Sequence, residues 1–388
     1  MNLPLAHHDQ VALSTNSRTV RSFETDRERY ESLALALDAI REREEAAVGD
    51  EDLLYIRRVN RISRTAEVIG RTLIHFSFEP ITFGLGVGAL WVHKQLQATE
   101  VGHTVLHGAF DKIPGDHGFK SEGYTWQTPI DERSWHRGHN GRHHGATNVA
   151  GRDPDIHFGP VRLTEDTPWT PAHRLQLFYT LFVLFPNFGA LMNLHFTGAV
   201  DLLQGNGRES EFDFVHDRSA ATKKDVAKRV LRKFVPYYAK EYVLFPLLAG
   251  PFFWKVMLGN WLSEMMRDVY SAATIYCGHV GEHTATYAEG TRPKGKGHWY
   301  EMQVEASNNF EVPFVLSVFC GALDKQIEHH LFPKLPTQRL RKVSPEVKAI
   351  CAEHGVRYHT DSWPRTLKKA LAQIARLSGP VETLRAAA

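Results

Sequence analysis

Histidine dominates the residues of this chain that could do chemistry, with 22 copies among 388 residues. Many are bunched at intervals that suit a metal. His103 and His107 are four apart, so a helix carries both imidazoles on one face, where they can converge on one ion. His139 and His143 repeat that spacing, and His144 then points about 100° away, a direction useful to a second metal. His136, just upstream, reads equally well as a surface residue. His329 and His330 diverge in the same manner, and the amide of Gln326 stands where a third donor of that group would be. His279 and His283 form a fourth pair at the end of an apolar stretch, where an ionisable side chain is a functional hypothesis by default. A lone HxxxH arises often by chance, whereas three histidines within six residues are rarely needed for packing.

Together His103, His107, His139, His143, His144, His279, His283, His329 and His330 exceed the four ligands that one zinc takes, and so suit two metals. Imidazole is a good ligand for iron, and no thiolate set is present for an iron–sulfur cluster. Two redox-active irons can together bind and reduce dioxygen, which ordinary side chains cannot do. In a membrane setting the substrate expected is a long hydrocarbon chain.

Bulk properties narrow the alternatives. A net charge of +2 with 23% charged residues gives no basic patch or acidic tail, which argues against a nucleic-acid partner. Cys277, Cys320 and Cys351 are odd in number and form no CxxC pair, so neither a disulfide framework nor a zinc–cysteine site is expected, and the working parts should face a reducing cytoplasm. The first residues lack the charged and apolar regions of a cleaved signal, so any membrane segment should be internal. Gly84, Gly86 and Gly88 form a GxGxG string without the strand and acidic partner of a dinucleotide site; they read as small residues for helix packing.

The elements that must position these histidines are helical. Residues 18–64 carry dense alternating charge and read as an amphipathic helix on a solvated surface. Residues 68–91 are apolar but interrupted by Arg71, His75 and Glu79-Pro80, and form either one tilted span or a short broken hairpin. Residues 175–200 are uncharged but broken by Pro186-Asn187 and Gly189, and residues 205–240 are strongly basic. Apolar stretches follow at 242–266 and 269–281, and Ser344-Pro345 is expected to open a helix as N-cap and first helical residue. Ligands of one site must share one side of a membrane, and the basic loop should stay inside. Residues 175–200 are therefore expected to be re-entrant or interfacial, with 242–262 and 265–283 forming a crossing hairpin. The expected fold is all-α, with membrane helices under a helical cytoplasmic cap that carries a histidine-rich di-iron site. It divides into an amphipathic segment 1–67, a membrane domain 68–335 and a helical tail 336–388. The mean hydropathy of −0.33 fits few spans under a large cap.

The sequence closely resembles the membrane fatty acid desaturase family, especially its bacterial acyl desaturases, through GHTVLHG, HNGRHHGATN, the QVEASNN stretch at 303–309 and QIEHHLFP at 326–333. The likeness runs from about residue 75 to 345, with a similar tail. It implies removal of hydrogens from two adjacent methylenes of a fatty acyl chain at the expense of dioxygen, leaving a cis double bond and water. It also implies iron ligation by His103, His107, His139, His143, His144, His329 and His330, and gives the position of His279. Gln326, Asn148, Asp155 and Asn308 are candidates to hydrogen-bond the ligands. Gln326 replaces the first histidine of the third box, as in one branch of the family, and three residues separate His139 from His143 where many relatives have two. No fused haem motif and no flavin or nicotinamide fingerprint is present, so electrons are expected from a separate ferredoxin, cytochrome b5-like protein or flavoprotein reductase. The acyl carrier could be CoA, a carrier protein or a lipid, and Arg133, Arg137, Arg142 and Arg152 could hold a phosphate on it. Hydroxylation of a lipid by the same metal site and a non-enzymatic metal-binding protein are the competing functions.

Overall fold

The computed structural model describes residues 21–157, 161–204, 214–281 and 283–380; residues 1–20 of the expected N-terminal segment and 205–213 of the basic loop lie outside them. The charged stretch expected as one helix is two. Helix α1 (Asp26–Ala46) starts at Thr25, whose side chain accepts from the Glu28 N–H, and α2 (Asp50–Phe76) starts where Asp52 reaches back to the Gly49 N–H at 3.0 Å. The inner face of α1, Leu33, Leu37 and Ile40, is buried in one apolar cluster with Leu331, Phe332, Val343 and Val347. The first helix therefore clamps the segment that carries His329 and His330.

Helix α2 runs on into the apolar region, turns at residues 77–79, and returns as α3 (Pro80–Leu96), with Glu79 as N-cap and Pro80 in the first turn. Residues 68–91 are thus a broken hairpin. Its two helices touch closely, since a Cβ on Gly70 would lie 2.6 Å from the Leu90 nitrogen and one on Gly86 2.9 Å from that of Ile74. Gly84 and Gly88 face open space, so only the middle glycine of the string serves packing.

The second hairpin corrects the sequence expectation. Its limbs are α6 (Ala220–Ala239), prolonged by a π-helical turn at Lys240–Leu244, and α7 (Phe253–His279), with the tip at residues 248–252. No turn falls near residues 262–265, because Glu264, Arg267 and Asp268 are buried inside the continuous α7. They join a layer of ions shared by four helices. Lys94 and Arg71 both reach Glu241, at 3.0 and 2.8 Å; Arg267 reaches Asp268 at 2.6 Å and the Tyr237 hydroxyl at 3.0 Å; Tyr242 donates to Glu264 at 3.2 Å. Buried charges survive when paired in this way. The two tips meet where Lys255 donates to the carbonyls of His75 and Ser77 at 3.0 and 2.7 Å. Large apolar side chains around the tips, among them Phe78, Leu247, Leu248 and Trp254, are exposed.

Between the hairpins lies a composite helix, α5 (Pro171–Thr197), whose pitch changes at Pro186. Among the described residues it alone is long and apolar enough by composition to cross a membrane, with a hydropathy of 1.5. It packs against α7 through Phe185, Phe188 and Met192, while Leu175, Phe178 and Phe182 are exposed.

The C-terminal region holds α8 (Gln326–Leu331), α9 (Thr337–Glu353) and α10 (Trp363–Arg376), and two three-residue strands, β1 (Asn309–Glu311) and β2 (Thr360–Ser362), pair in parallel with Asn309 opposite Thr360. The expected helix start at Ser344-Pro345 does not occur. Helix α9 begins after Pro336 and runs through Pro345. Its stripe of Leu340, Val343, Val347 and Cys351 is buried on both sides of the proline, and that burial outweighs the hydrogen bond Pro345 cannot donate.

Candidate metal centre

Helix α3 does not stop at Leu96. It continues through a π-helical turn, Gln97–His103, and an α-helical one, Thr104–Leu106. The wide turn frees carbonyls, and the Trp126 indole N–H donates to those of Gln97 and Ala98 at 3.1 and 3.2 Å. Only glycine fits at position 102, since a Cβ there would lie 2.2 Å from the Trp126 ring. The turn delivers His103 and His107 with their Nε2 atoms 3.2 Å apart.

The second box is wound the same way, and this changes the expected pairing. Asp131 caps α4 (Glu132–Trp135) by accepting from the Ser134 N–H at 2.9 Å, and π-helical turns follow over His136–His143. A π-helix brings residues five apart together. His139 and His144 therefore meet, Nε2 to Nε2 at 3.2 Å, while His143 is turned toward His279 and His330. His136 is exposed. On α8 the adjacent His329 and His330 diverge as expected, with their rings nearly perpendicular.

The result is two groups. His103, His107, His139 and His329 converge, with His144 against His139; His143, His279 and His330 form the second group. Eight of the nine sequence candidates are brought together in this way. His283 is not, because α7 ends at His279 and the chain leaves as extended backbone at Val280. The His283 Nε2 lies 2.9 Å from the Lys369 amine, and its ring lies 4.1 Å from that of His359, tilted by 39°.

The donor set fits metal ions. Facing Nε2 atoms in the pairs 103/107, 139/144 and 279/330 are 3.1 to 3.2 Å apart. Two nitrogens bound to one ion at about 2.0–2.1 Å and near a right angle or a little wider are separated by roughly 3.0–3.4 Å. Among the described residues, His143 Nε2 and His329 Nε2 are buried without a hydrogen-bond partner, a costly state that a cation at each group would relieve.

Hydrogen bonds hold the outer nitrogens of His143 and His330. His143 Nδ1 donates to both carboxylate oxygens of Asp153 at 2.9 and 3.0 Å, which leaves Nε2 as the free lone pair. Burial lowers the His143 pKa, but Asp153 and Asp155 overcome it and push it up to about 9. The same carboxylates would stabilise an imidazole bound to a cation. Burial and the neighbouring imidazoles hold His139, His144, His329 and His330 well below the usual range, as neutral donors. His330 Nδ1 lies 3.0 Å from Thr147 Oγ1 and 3.2 Å from Gln303 Oε1.

Of the outer residues named from sequence, Asp155 lies 3.5 Å from His139 Nδ1. Asn148, in a left-handed conformation with φ 55°, ties the carbonyls of Ala285 and Ala306 at 3.1 Å each and that of His279 at 3.4 Å. Asn308 donates its backbone N–H to Gly278 at 2.8 Å. Gln326 places its amide nitrogen 2.7 Å from His279 Nε2; the amide turned over would present its oxygen to the second group instead. Asp153, Thr147, Gln303 and Trp126 were not singled out in the sequence, although Gln303 opens the QVEASNN stretch. The Arg137 and Arg142 guanidinia both lie over the Phe214 ring, and Arg137 donates to the Phe196 carbonyl at 3.0 Å. Two cavities reach the histidines from opposite groups: one of 430 Å³ ends on His279 and one of 370 Å³ ends on His107.

Comparison with known proteins gives the family. The sequence profile of the fatty acid desaturases matches residues 78–362. The chain is 32% identical over 366 residues to the NADPH-dependent stearoyl-CoA 9-desaturase of Mycobacterium tuberculosis, covering 92% of this chain and 81% of that protein. It is 26% identical over 309 residues to the sn-1 linoleoyl-lipid 6-desaturase of Synechocystis sp., covering 76% and 80%. It is 25% identical over 231 residues to fatty acid desaturase 3 of Bos taurus, covering 56% and 44%. The chain belongs to the fatty acid desaturase family, a membrane-associated class of oxidoreductases.

Proposed function

We propose that this chain introduces a cis double bond into a fatty acyl chain at a pair of irons held by His103, His107, His139, His144 and His329 on one side and His143, His279 and His330 on the other. The observation that carries the reading is the sorting of eight imidazoles into two adjacent groups with lone pairs facing inward. When bound, the irons would supply dioxygen activation and removal of hydrogen from two adjacent methylenes. The balance is one acyl –CH2–CH2– unit, O2, two electrons and two protons giving –CH=CH– and two waters. The protein's part is to fix His143 and His330 by their outer nitrogens, with Asp153 on His143 and Thr147 and Gln303 on His330, and to wall the site with Trp126 and Trp135.

The relative that spans 92% of this chain is named for stearoyl-CoA, which favours a long saturated acyl-CoA as substrate. Electrons come from a separate protein. Both hairpins enter the bilayer from the side of the cap, α5 lies along the interface, and the histidines and the basic start of α6 face the cytoplasm. The exposed apolar side chains at the joined tips and the positive charge of Lys223, Lys224 and Lys228 support this orientation. The test is purification after expression in iron-replete cells, with metal analysis and fatty acid profiling of the host. Close to two irons per chain and a new monounsaturated acid are expected; one zinc and no iron would sink the reading.

A further inference from the structure

The cavity that ends on His279 has a wall unlike that of the cavity ending on His107. Lys369, Gln373 and Arg376 of α10 line it together with Thr284, Thr286 and Asn148, and among the described residues no Asp or Glu lines it. At the His107 cavity, Lys112 and Lys334 are answered by Glu45 and Asp111. The charge of α10 itself is one-sided. Between Trp363 and Arg376 it carries Arg365, Lys368, Lys369 and Arg376 and no acidic residue. Asp361 contacts Arg365 and Lys369, each at 3.4 Å, and Glu165 contacts Arg376 at 2.7 Å, so among the described residues two carboxylates face the four cations of the helix. The Arg365 side chain is 77% exposed. The helix is anchored by buried Thr366, Ala370 and Ile374, and its outer face between the cations carries the small Ala372 and Ala375.

We propose that the outer face of α10, over this cavity, is the docking surface for a small acidic electron-carrier protein. The inference rests on the desaturase reading, which requires two electrons per double bond from outside. A rigid, cationic, nearly flat helix suits an acidic partner, because charge complementarity steers encounter and sets orientation. A carrier seated there faces the opening whose floor is His279, a member of the second imidazole group. The mouth at His107, with balanced charge, has no such preference.

The test compares the iron-loaded wild type with Arg365→Glu/Lys368→Glu and with the milder Arg365→Gln/Lys368→Gln. Each is driven in two ways: by a plant-type [2Fe–2S] ferredoxin kept reduced by NADPH and ferredoxin reductase, and in a single turnover after reduction with dithionite. The expected result is a ferredoxin KM raised at least tenfold by the Glu pair and a few-fold by the Gln pair. The wild-type KM should rise with salt, and dithionite product yield should stay within twofold in all three. An unchanged ferredoxin KM overturns the proposal, as does a wild type that turns over with dithionite but not with ferredoxin. Loss of binding to vesicles of anionic phospholipid, with the ferredoxin KM unmoved, overturns it in favour of a lipid-facing helix. No product from wild type by either route removes the desaturase reading, and the docking surface with it.

Discussion

The carboxylate of Glu328 is given to Tyr358, whose hydroxyl donates to it at 2.8 Å, although Glu328 sits next to His329. The Asn309 side-chain amide donates to its other oxygen at 2.8 Å, and Glu328 is wholly buried. Both carboxylate oxygens are thereby engaged away from the imidazoles. Glu328 instead ties α8 to β1 and to the segment before β2. Glu328→Gln keeps an acceptor for Tyr358 and is expected to retain measurable activity. Glu328→Ala removes the carboxylate that both donors share, at about 1–3 kcal/mol for a buried donor left unmet, and is expected to melt well below wild type in detergent. A Glu328→Ala melting curve that overlays the wild type would refute the tie.

His329 and His330 belong to different groups, so neither can replace the other. His329→Ala and His330→Ala are each expected to abolish double-bond formation while the protein still reaches the membrane. Fatty acid profiling beside an immunoblot and iron analysis decides this. Near wild-type product from either variant would detach α8 from the metal centre.

Gly102→Ala forces a methyl group into the Trp126 ring. Overpacking of this kind costs about 1–3 kcal/mol, and here it falls on the turn that delivers His103. Lower iron content and a lower melting temperature are expected together, and Gly102→Ala/Trp126→Phe should recover part of both. Normal iron content in Gly102→Ala would show that the wide turn is not needed for ligation.

Lys94→Met leaves Glu241 with Arg71 alone, and breaking a buried pair costs about 3–5 kcal/mol. Lys94→Met/Glu241→Gln is expected to be more stable than Lys94→Met. A double-mutant cycle of melts in detergent measures the coupling, and additive effects would mean that the two residues are not linked.

For topology, a cysteine at Lys223 is expected to react with a membrane-impermeant maleimide from the cytoplasmic side, and one at Gly250 from the opposite side or not at all. Cys277, Cys320 and Cys351 are buried and give a low background. Labelling of both positions from one side at equal rates contradicts the insertion of the second hairpin.

The helical architecture and the histidine clusters were legible because residue type and short spacing carry them. The pairing within the second box was not. It assumed 3.6 residues per turn, and the wider winding depends on distant contacts: Gly102 makes room for Trp126, and Gly138 faces Phe196 so closely that a Cβ would lie 2.4 Å from its ring. His279 and His283 were paired by a spacing that holds only inside a helix, and α7 ends at the first of them. The break expected near residue 264 came from charges that are met inside the protein: Arg267 pairs with Asp268 on α7 itself, and Tyr237, Tyr242 and Lys94 of other helices complete the layer. Ser344-Pro345 is a sound local start signal overruled by an apolar stripe that extends to both sides of it.

The ion layer across the hairpins bears on how the chain is made. Arg71 and Lys94 leave the ribosome more than a hundred residues before Glu241, Glu264 and Asp268, the carboxylates of the second hairpin that complete the layer. On the insertion proposed above, an early hairpin released alone into lipid would leave Lys94 without Glu241 and Arg71 with only Glu67 of its own helix, which is unfavourable by several kcal/mol. If both hairpins enter the bilayer as proposed, the first is expected to be retained until the second emerges, and a ribosome stalled before residue 241 should leave a nascent chain still bound to the translocation channel.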